Sequence, residues 1–353
     1  MTLPLERPVA AEPGSPLSFG QEQLWFLDQL APGETTYNLL LAWRLRGALD
    51  VGILRRCLAL VVERHEVLRV TVRAVNGTPY QVVAPAGEVE LTIVDLGGLT
   101  AEEQQAAVDA AIADQTNQPF DLETGPLYRY RLYRLADDDY VFCQGFHHLV
   151  TDGWSSAVMN AEITAAYQAL LTGEDPVFDD LEMDYPEFAD WQRQRLQGEE
   201  LEEELTFWQE KLADLPVLEL PTDRPRPAVP DHSGATVIRH FPPELLDRAR
   251  ATAQEHGVSL FMVLAAAFTT VLSRYSGQED IPVGVPMLGR VEPELEDVVG
   301  LFINMVVLRS DLSGDPSFSE FLERTADANL ELYEHQEVPF HQVVDRVQPV
   351  REP

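Results

Sequence analysis

Residues 146–155 read FHHLVTDGWS: two adjacent histidines, a carboxylate four residues after the second, and a glycine. The run before them, YVFCQGF (140–146), is apolar and aromatic without a helical period. It is preceded by LYRYRLYRL (127–135), apolar at alternate positions, and by an acidic turn at 137–139. After the glycine, SAVMNAEITAAYQALL (156–171) reads as a helix that Ser155 or Ser156 would cap. The stretch is therefore a strand, a short loop and a helix N-terminus, a junction at which a rigid strand and a helix dipole fix geometry together. Consecutive strand residues face opposite sides, so His147 and His148 cannot easily share one task.

The same alternation extends outward. Upstream, after a Pro-rich leader, Ser18 caps a helix through GQEQLWFLDQL, NLLLAWRLRG (38–47) is a strand, and Asp50 caps a helix over 50–67. TVRAVNGTPYQVV (71–83) is a hairpin hinged at Asn76-Gly77, and Thr100 with Glu103 opens an amphipathic helix with a capping box. From 172 to 184 the composition turns to Gly, Asp, Glu and Pro, the signature of a linker. Helices over 185–196 and 199–212 and a Pro-rich connector at 220–234 follow. Then come a strand at 235–241, helices over 242–257 and 259–276, strands at 280–287 and 298–312, and a helix over 317–336. The expected class is α/β, or α+β with mixed sheets, in two lobes: 1–175 carrying the histidines, and 176–353.

A chain of 353 residues, 45% of them hydrophobic, exceeds one comfortable core, which also favours two lobes. With 25 basic and 59 acidic residues the formal charge is −34, which opposes docking on nucleic acid or an anionic membrane. The only cysteines, Cys57 and Cys143, sit in apolar runs; they exclude a disulfide framework and read as core thiols in a reducing compartment. No basic-then-apolar leader and no apolar run of 18 residues stands in the chain, so it reads as soluble and cytoplasmic.

The chemistry narrows by elimination. Two histidines on opposite strand faces and one aspartate do not make the three or four converging ligands a metal needs, so no metal is expected. No GxSxG elbow is present for a nucleophilic serine. What remains is a histidine that handles a proton or positions a substrate, oriented by a carboxylate across a glycine-ended turn.

At these residues the chain resembles the condensation domains of nonribosomal peptide synthetases, within the chloramphenicol acetyltransferase-like superfamily. HHLVTDG (147–153) fits their HHxxxDG motif. LSFGQEQLWFLDQL (17–30) resembles the first motif, with Gln21, Leu24 and Trp25 in place, and RHEVLRVTV (64–72) the second. QPFDLETGPLYR (118–129) resembles the segment leading to the histidine strand. YPEFADWQ (185–192), VGLFINMVVLR (299–309) and HQEVPFHQVV (335–344) resemble the fourth, fifth and sixth motifs, in the family's order. The chain stops at VQPVREP, where a seventh motif would begin, so the resemblance implies an incomplete second lobe with an exposed sheet edge and a tendency to associate.

The resemblance implies two acetyltransferase-like lobes forming a V-shaped pseudo-dimer around a tunnel. It implies amide formation between a donor acyl or peptidyl thioester and the α-amine of an acceptor aminoacyl thioester. Both arrive on phosphopantetheine arms of peptidyl carrier proteins, beside an adenylation domain, and the domain itself binds no cofactor. A soluble acceptor and a silent docking platform are the alternatives. Carried over residue by residue, His148, with His147 and Gly153, forms the catalytic set, and Asp152 is a structural carboxylate paired with Arg64 or else Arg69. Trp154, Ser155 and Asn304 are possible tunnel-lining residues; Asn304 would otherwise tie its strand to a loop.

Overall fold

The computed structural model describes residues 14–225 and 234–348; the Pro-rich leader through 13, the connector at 226–233 and the end of VQPVREP lie outside the described residues. It divides into two compact units, one of Met1–Gln197 with Arg290–Ile303, the other of Gly198–Gly289 with Asn304–Pro353. The boundary expected at 175/176 thus falls at 197/198. The segment 172–184 does not separate units, because Tyr185 and Phe188 beyond it are buried in the core of the first unit.

The first unit holds β1 (Ser15–Pro16), α1 (Phe19–Leu30), β2 (Asn38–Arg46), α2 (Val51–Arg64), β3 (Val70–Val75), β4 (Thr78–Val83) and β5 (Leu91–Asp95). It continues with α3 (Ala101–Thr116), β6 (Tyr128–Ala136), β7 (Asp139–His147), α4 (Gly153–Thr172) and α5 (Tyr185–Arg195). Its main sheet has the order β2-β7-β6-β5, antiparallel except for the parallel pair β5/β6, so the expected mixed sheet is present. The β3/β4 hairpin turns at Asn76 and Gly77, both with positive φ, as an Asn-Gly turn requires. Side chains alternate about the main sheet: Tyr140, Phe142 and Phe146 of β7 join Leu54, Leu58 and Val61 of α2 and Met159 and Ile163 of α4 in one core. Val141 and Cys143 pack with Val108 of α3 in another.

Burial decides where the first unit's last segment belongs. Leu295, Val298, Val299, Leu301 and Phe302 enter the same core as β7 and α4. The long strand expected at 298–312 is therefore irregular up to residue 303, with a bend at Gly300, and only its second half forms ladder hydrogen bonds.

In the second unit α6 (Gly198–Lys211), α7 (Pro243–His256), α8 (Leu260–Ser276), β8 (Asp280–Met287), β9 (Asn304–Asp311), α9 (Phe318–Glu334) and α10 (Phe340–Val347) surround an antiparallel β8/β9 pair. The strand expected at 235–241 is absent: its described residues have no ladder partner, and Val237, Ile238 and Phe241 are exposed. Among the described residues no single helix is long and apolar enough to cross a membrane.

Candidate functional site

β7 delivers both histidines. It lies between β2 and β6, buried from Tyr140 to His147. The backbone N–H of His147 donates to the Leu127 carbonyl (3.0 Å) and that of His148 to the Tyr37 carbonyl (2.8 Å), after which the chain tightens into one 3₁₀ turn, His148–Val150. Residues 147 and 148 are thus fixed by backbone bonds on either side.

Their rings are held in opposite tautomers. His147 is 5% exposed, and its Nδ1 lies 3.1 Å from the Leu149 backbone N–H. A backbone N–H only donates, so Nδ1 keeps its lone pair. Burial, with His148 alongside, pushes the His147 pKa down to about 4, which leaves the ring neutral with its proton on Nε2. His148 is half-buried, and its Nδ1 lies 2.7 Å from the Thr151 carbonyl. A carbonyl only accepts, so this Nδ1 carries a proton and Nε2 becomes the basic nitrogen of the neutral ring.

Asp152 is fully buried and caps α4, its Oδ1 accepting the Ser155 N–H at 2.8 Å. Its Oδ2 accepts the Phe302 N–H at 3.1 Å. The helix therefore starts two residues before the cap expected at Ser155, because a carboxylate at the position before Gly153 outcompetes the hydroxyls that follow. The cationic partner is Arg290, 3% exposed in its side chain, whose Nη1 donates to Oδ2 (2.9 Å) and Nη2 to Oδ1 (3.3 Å). Arg290 also donates to the Leu295 and Val298 carbonyls and to Ser155 Oγ, and its guanidinium stacks over Phe302. A planar fork with five donors is suited to such a set of fixed acceptors.

The pairing expected of Arg64 or Arg69 is thereby corrected. Arg64 donates to Glu162 of α4 (2.8 Å) and to the Asp179 carbonyl, and His65 shares the same carboxylate. Arg69 is committed to the carbonyls of Val62, Glu63 and Ala84. Ser155 is buried, and its Oγ donates to the Gly300 carbonyl while accepting the Gly300 N–H and an Arg290 N–H. Trp154 is 40% exposed, with its indole N–H held by the Glu296 carbonyl at 2.8 Å. Asn304 belongs to the second unit, where its amide donates to the carbonyls of Gln336 and Val338 and accepts the Phe340 N–H, so it ties β9 to the loop before α10. Gly153 is exposed and has an ordinary φ, and a Cβ there would meet no protein atom within 4 Å. Nothing inside the protein demands glycine at 153.

Sequence reading missed Arg290. It opens a loop otherwise acidic (Glu292, Glu294, Glu296, Asp297), and that isolation is the one local signal it gives. A cavity of about 480 Å³ between β2, β7 and α4 is lined by neither histidine. Among the described residues no three His, Cys, Asp or Glu side chains are grouped to hold a metal ion.

Comparison with known proteins gives concordant matches. The family model described as condensation domain matches residues 12–352. A linear gramicidin synthase polypeptide of Brevibacillus parabrevis is 44% identical over 342 residues, 97% of this chain and 4% of that protein, so the chain spans a small part of the curated relative it matches. The crystal structure of the X-domain from teicoplanin biosynthesis superposes with a TM-score of 0.83 at 29% identity, covering 100% of this chain and 76% of that one. The first condensation domain of the calcium-dependent antibiotic synthetase, in complex with a substrate analogue, has a TM-score of 0.82 at 23% identity. That match covers 94% of this chain and 77% of that one, and it carries the fold alone.

Proposed function

As this chain belongs to the condensation-domain family of nonribosomal peptide synthetases, we propose that it joins a donor acyl or peptidyl thioester to the α-amine of an acceptor aminoacyl thioester. Both substrates are delivered on phosphopantetheine arms by peptidyl carrier proteins, beside an adenylation domain. The free buried thiols Cys57 and Cys143 suit a reducing compartment, the cytoplasm.

The observation that carries the proposal is the His148 turn, in which the Thr151 carbonyl holds Nδ1–H and leaves Nε2 basic at the threshold of α4. In the proposed reaction the amine nitrogen attacks the donor carbonyl carbon, the C–N bond forms, and the C–S bond breaks to release the pantetheine thiol. His148 Nε2 takes the proton that the nitrogen sheds and passes it to the departing thiolate, or holds the amine in line by accepting its N–H while that proton reaches the sulfur through solvent. An α-amine has an unperturbed pKa of about 7.7 to 8.0, so an appreciable fraction is already neutral near pH 7 and full base catalysis is not obligatory. Alignment of two tethered thioesters then supplies the larger share, up to about 7 to 11 kcal/mol of barrier.

Gly153 takes a second role. It is the first residue of α4, where backbone N–H groups lack intrahelical acceptors. Its exposure and the empty space at its Cβ fit a position that a substrate approaches closely, with its N–H directed at the developing oxyanion. His147 positions rather than reacts, by accepting the Leu149 N–H. Asp152 and Arg290 hold the start of α4 and do not touch substrate.

The test mixes the 353-residue chain with aminoacyl-loaded donor carriers and either aminoacyl-loaded acceptor carriers or soluble aminoacyl-pantetheines and free amines, and weighs the products by mass spectrometry. Amide on the acceptor carrier is the expected result. Product with free amines but not with carrier-bound ones would replace this reading by a transferase to soluble acceptors.

A further inference from the structure

The first motif of the sequence, LSFGQEQLWFL, is not used by the chemistry above, yet one of its side chains reaches the histidine turn. Gln21 is completely buried at the third position of α1. Its Oε1 accepts the Ser18 backbone N–H (3.1 Å), while its backbone N–H donates to Ser18 Oγ (3.1 Å), a reciprocal capping box. Its Nε2 donates to the Leu149 carbonyl at 3.2 Å, inside the single turn that carries His148. The amide orientation is unambiguous, because a backbone N–H can only donate and a carbonyl can only accept.

Capping alone does not account for glutamine here. Glutamate serves a capping box equally well and suits a helix N-terminus better by charge. Thr100 with Glu103 and Ser317 with Glu320 use it in this same chain. What glutamine adds is a donor at the other end of the group, and that donor is spent on Leu149. The cap is itself anchored, since Ser18 Oγ lies 2.9 Å from Tyr185 Oη and Tyr185 donates to the Leu301 carbonyl at 2.5 Å. Ser18, Gln21 and Tyr185 thus connect the His148 turn to the segment that also supplies Arg290.

We infer that Gln21 is a positioning residue for His148: its carboxamide holds the Leu149 carbonyl and so fixes the turn in which the Thr151 carbonyl locks the tautomer of the imidazole. The inference rests on the reading of His148 as the proton-handling group of amide formation.

Gln21→Glu isolates the effect, since it keeps the capping box and deletes the donor. We expect a lower melting temperature, because a buried carboxylate then faces the Leu149 carbonyl, with the fold kept at the assay temperature, a kcat for carrier-bound amide formation lower by about 10- to 100-fold, and little change in acceptor KM. The deficit shrinks as pH falls and the new carboxyl regains a proton to donate, a trend that a defect in packing does not give. In ¹⁵N spectra of the imidazoles, His148 is expected to lose its Nδ1–H preference in the variant, a readout that needs no turnover. Wild-type kcat together with an unchanged His148 tautomer would overturn the inference. Activity in the wild type that is lost in His148→Ala but kept in Gln21→Glu would refute the role of Gln21 and leave the proposed function standing. Absence of activity in the wild type, with the tautomer still shifted, would do the reverse. Should Gln21→Glu fail to fold, Gln21→Met set against Ser18→Ala decides: both weaken the cap, only the first removes the donor, and equal kcat values for the two would refute the role.

Discussion

Arg290→Met tests the arrangement of the site most sharply. The substitution keeps an apolar stem over Phe302 but removes every donor that Arg290 gives to Asp152, Ser155 and the Leu295 and Val298 carbonyls. Asp152 is left fully buried with only the Ser155 and Phe302 N–H groups. Breaking a buried pair from one side costs about 3 to 5 kcal/mol. For a unit of roughly this size each kcal/mol is worth about 2 to 4 °C, so the melting temperature of the first unit should fall by about 6 to 20 °C. Arg44→Met is the control: its partner Asp139 is at the surface, and the expected cost is no more than about 1 kcal/mol. Urea unfolding of Arg290→Met, Asp152→Asn and the double variant should give a coupling energy in the upper part of the usual range of about 0.5 to 3 kcal/mol for contacting residues. Arg290→Met no worse than Arg44→Met, or stronger coupling of Asp152 to Arg64 than to Arg290, would refute the reasoning.

Three shorter expectations accompany it. His147, with a folded pKa of about 4 against about 6.5 when unfolded, takes up its proton more readily in the unfolded chain. Its contribution is therefore complete above about pH 6.5 and is lost as pH falls toward 4, by about 3 kcal/mol; unfolding free energies of His147→Gln across that window should show a correspondingly flatter slope, and equal slopes would contradict it. Gly153→Ala should melt as the wild type does, since its Cβ meets open space, and yet lose turnover; a fully active variant would remove the close approach of substrate. Gly300→Ala should do the opposite, because its Cβ would run into the Tyr185 ring, with a cost of about 1 to 3 kcal/mol or more in thermal melts.

Much of this was legible locally. The caps at Ser18, Asp50 and Thr100, the Asn76-Gly77 hairpin and the strand, loop and helix around the histidines are short-range features, each written in three to five consecutive residues. The chemistry that depends on distant partners was not. Arg290 lies 138 residues from Asp152, and no spacing rule connects them; the resemblance pointed instead to the second-motif arginines Arg64 and Arg69, which bind elsewhere. Strand propensity in VVGLFINMVVLRSDL was real, but residues 298–303 satisfy their apolar side chains in the core of the first unit without a ladder partner. ATVIRHF has the same propensity with no partner at all among the described residues, and pairing rather than propensity makes a strand. The dual use of Gln21 was hidden for the same reason: its capping role is local, and its bond to Leu149 spans 128 residues.

The central claim, that His148 handles the proton of an amide-forming reaction in this chain, is tested most directly by single-turnover mass spectrometry. Wild type and His148→Ala are compared with the same loaded donor and acceptor carriers, and circular dichroism verifies that both are folded. Amide product from the wild type, with a rate lower by about two orders of magnitude or more in His148→Ala, is the expected result; equal rates in the two proteins would contradict it.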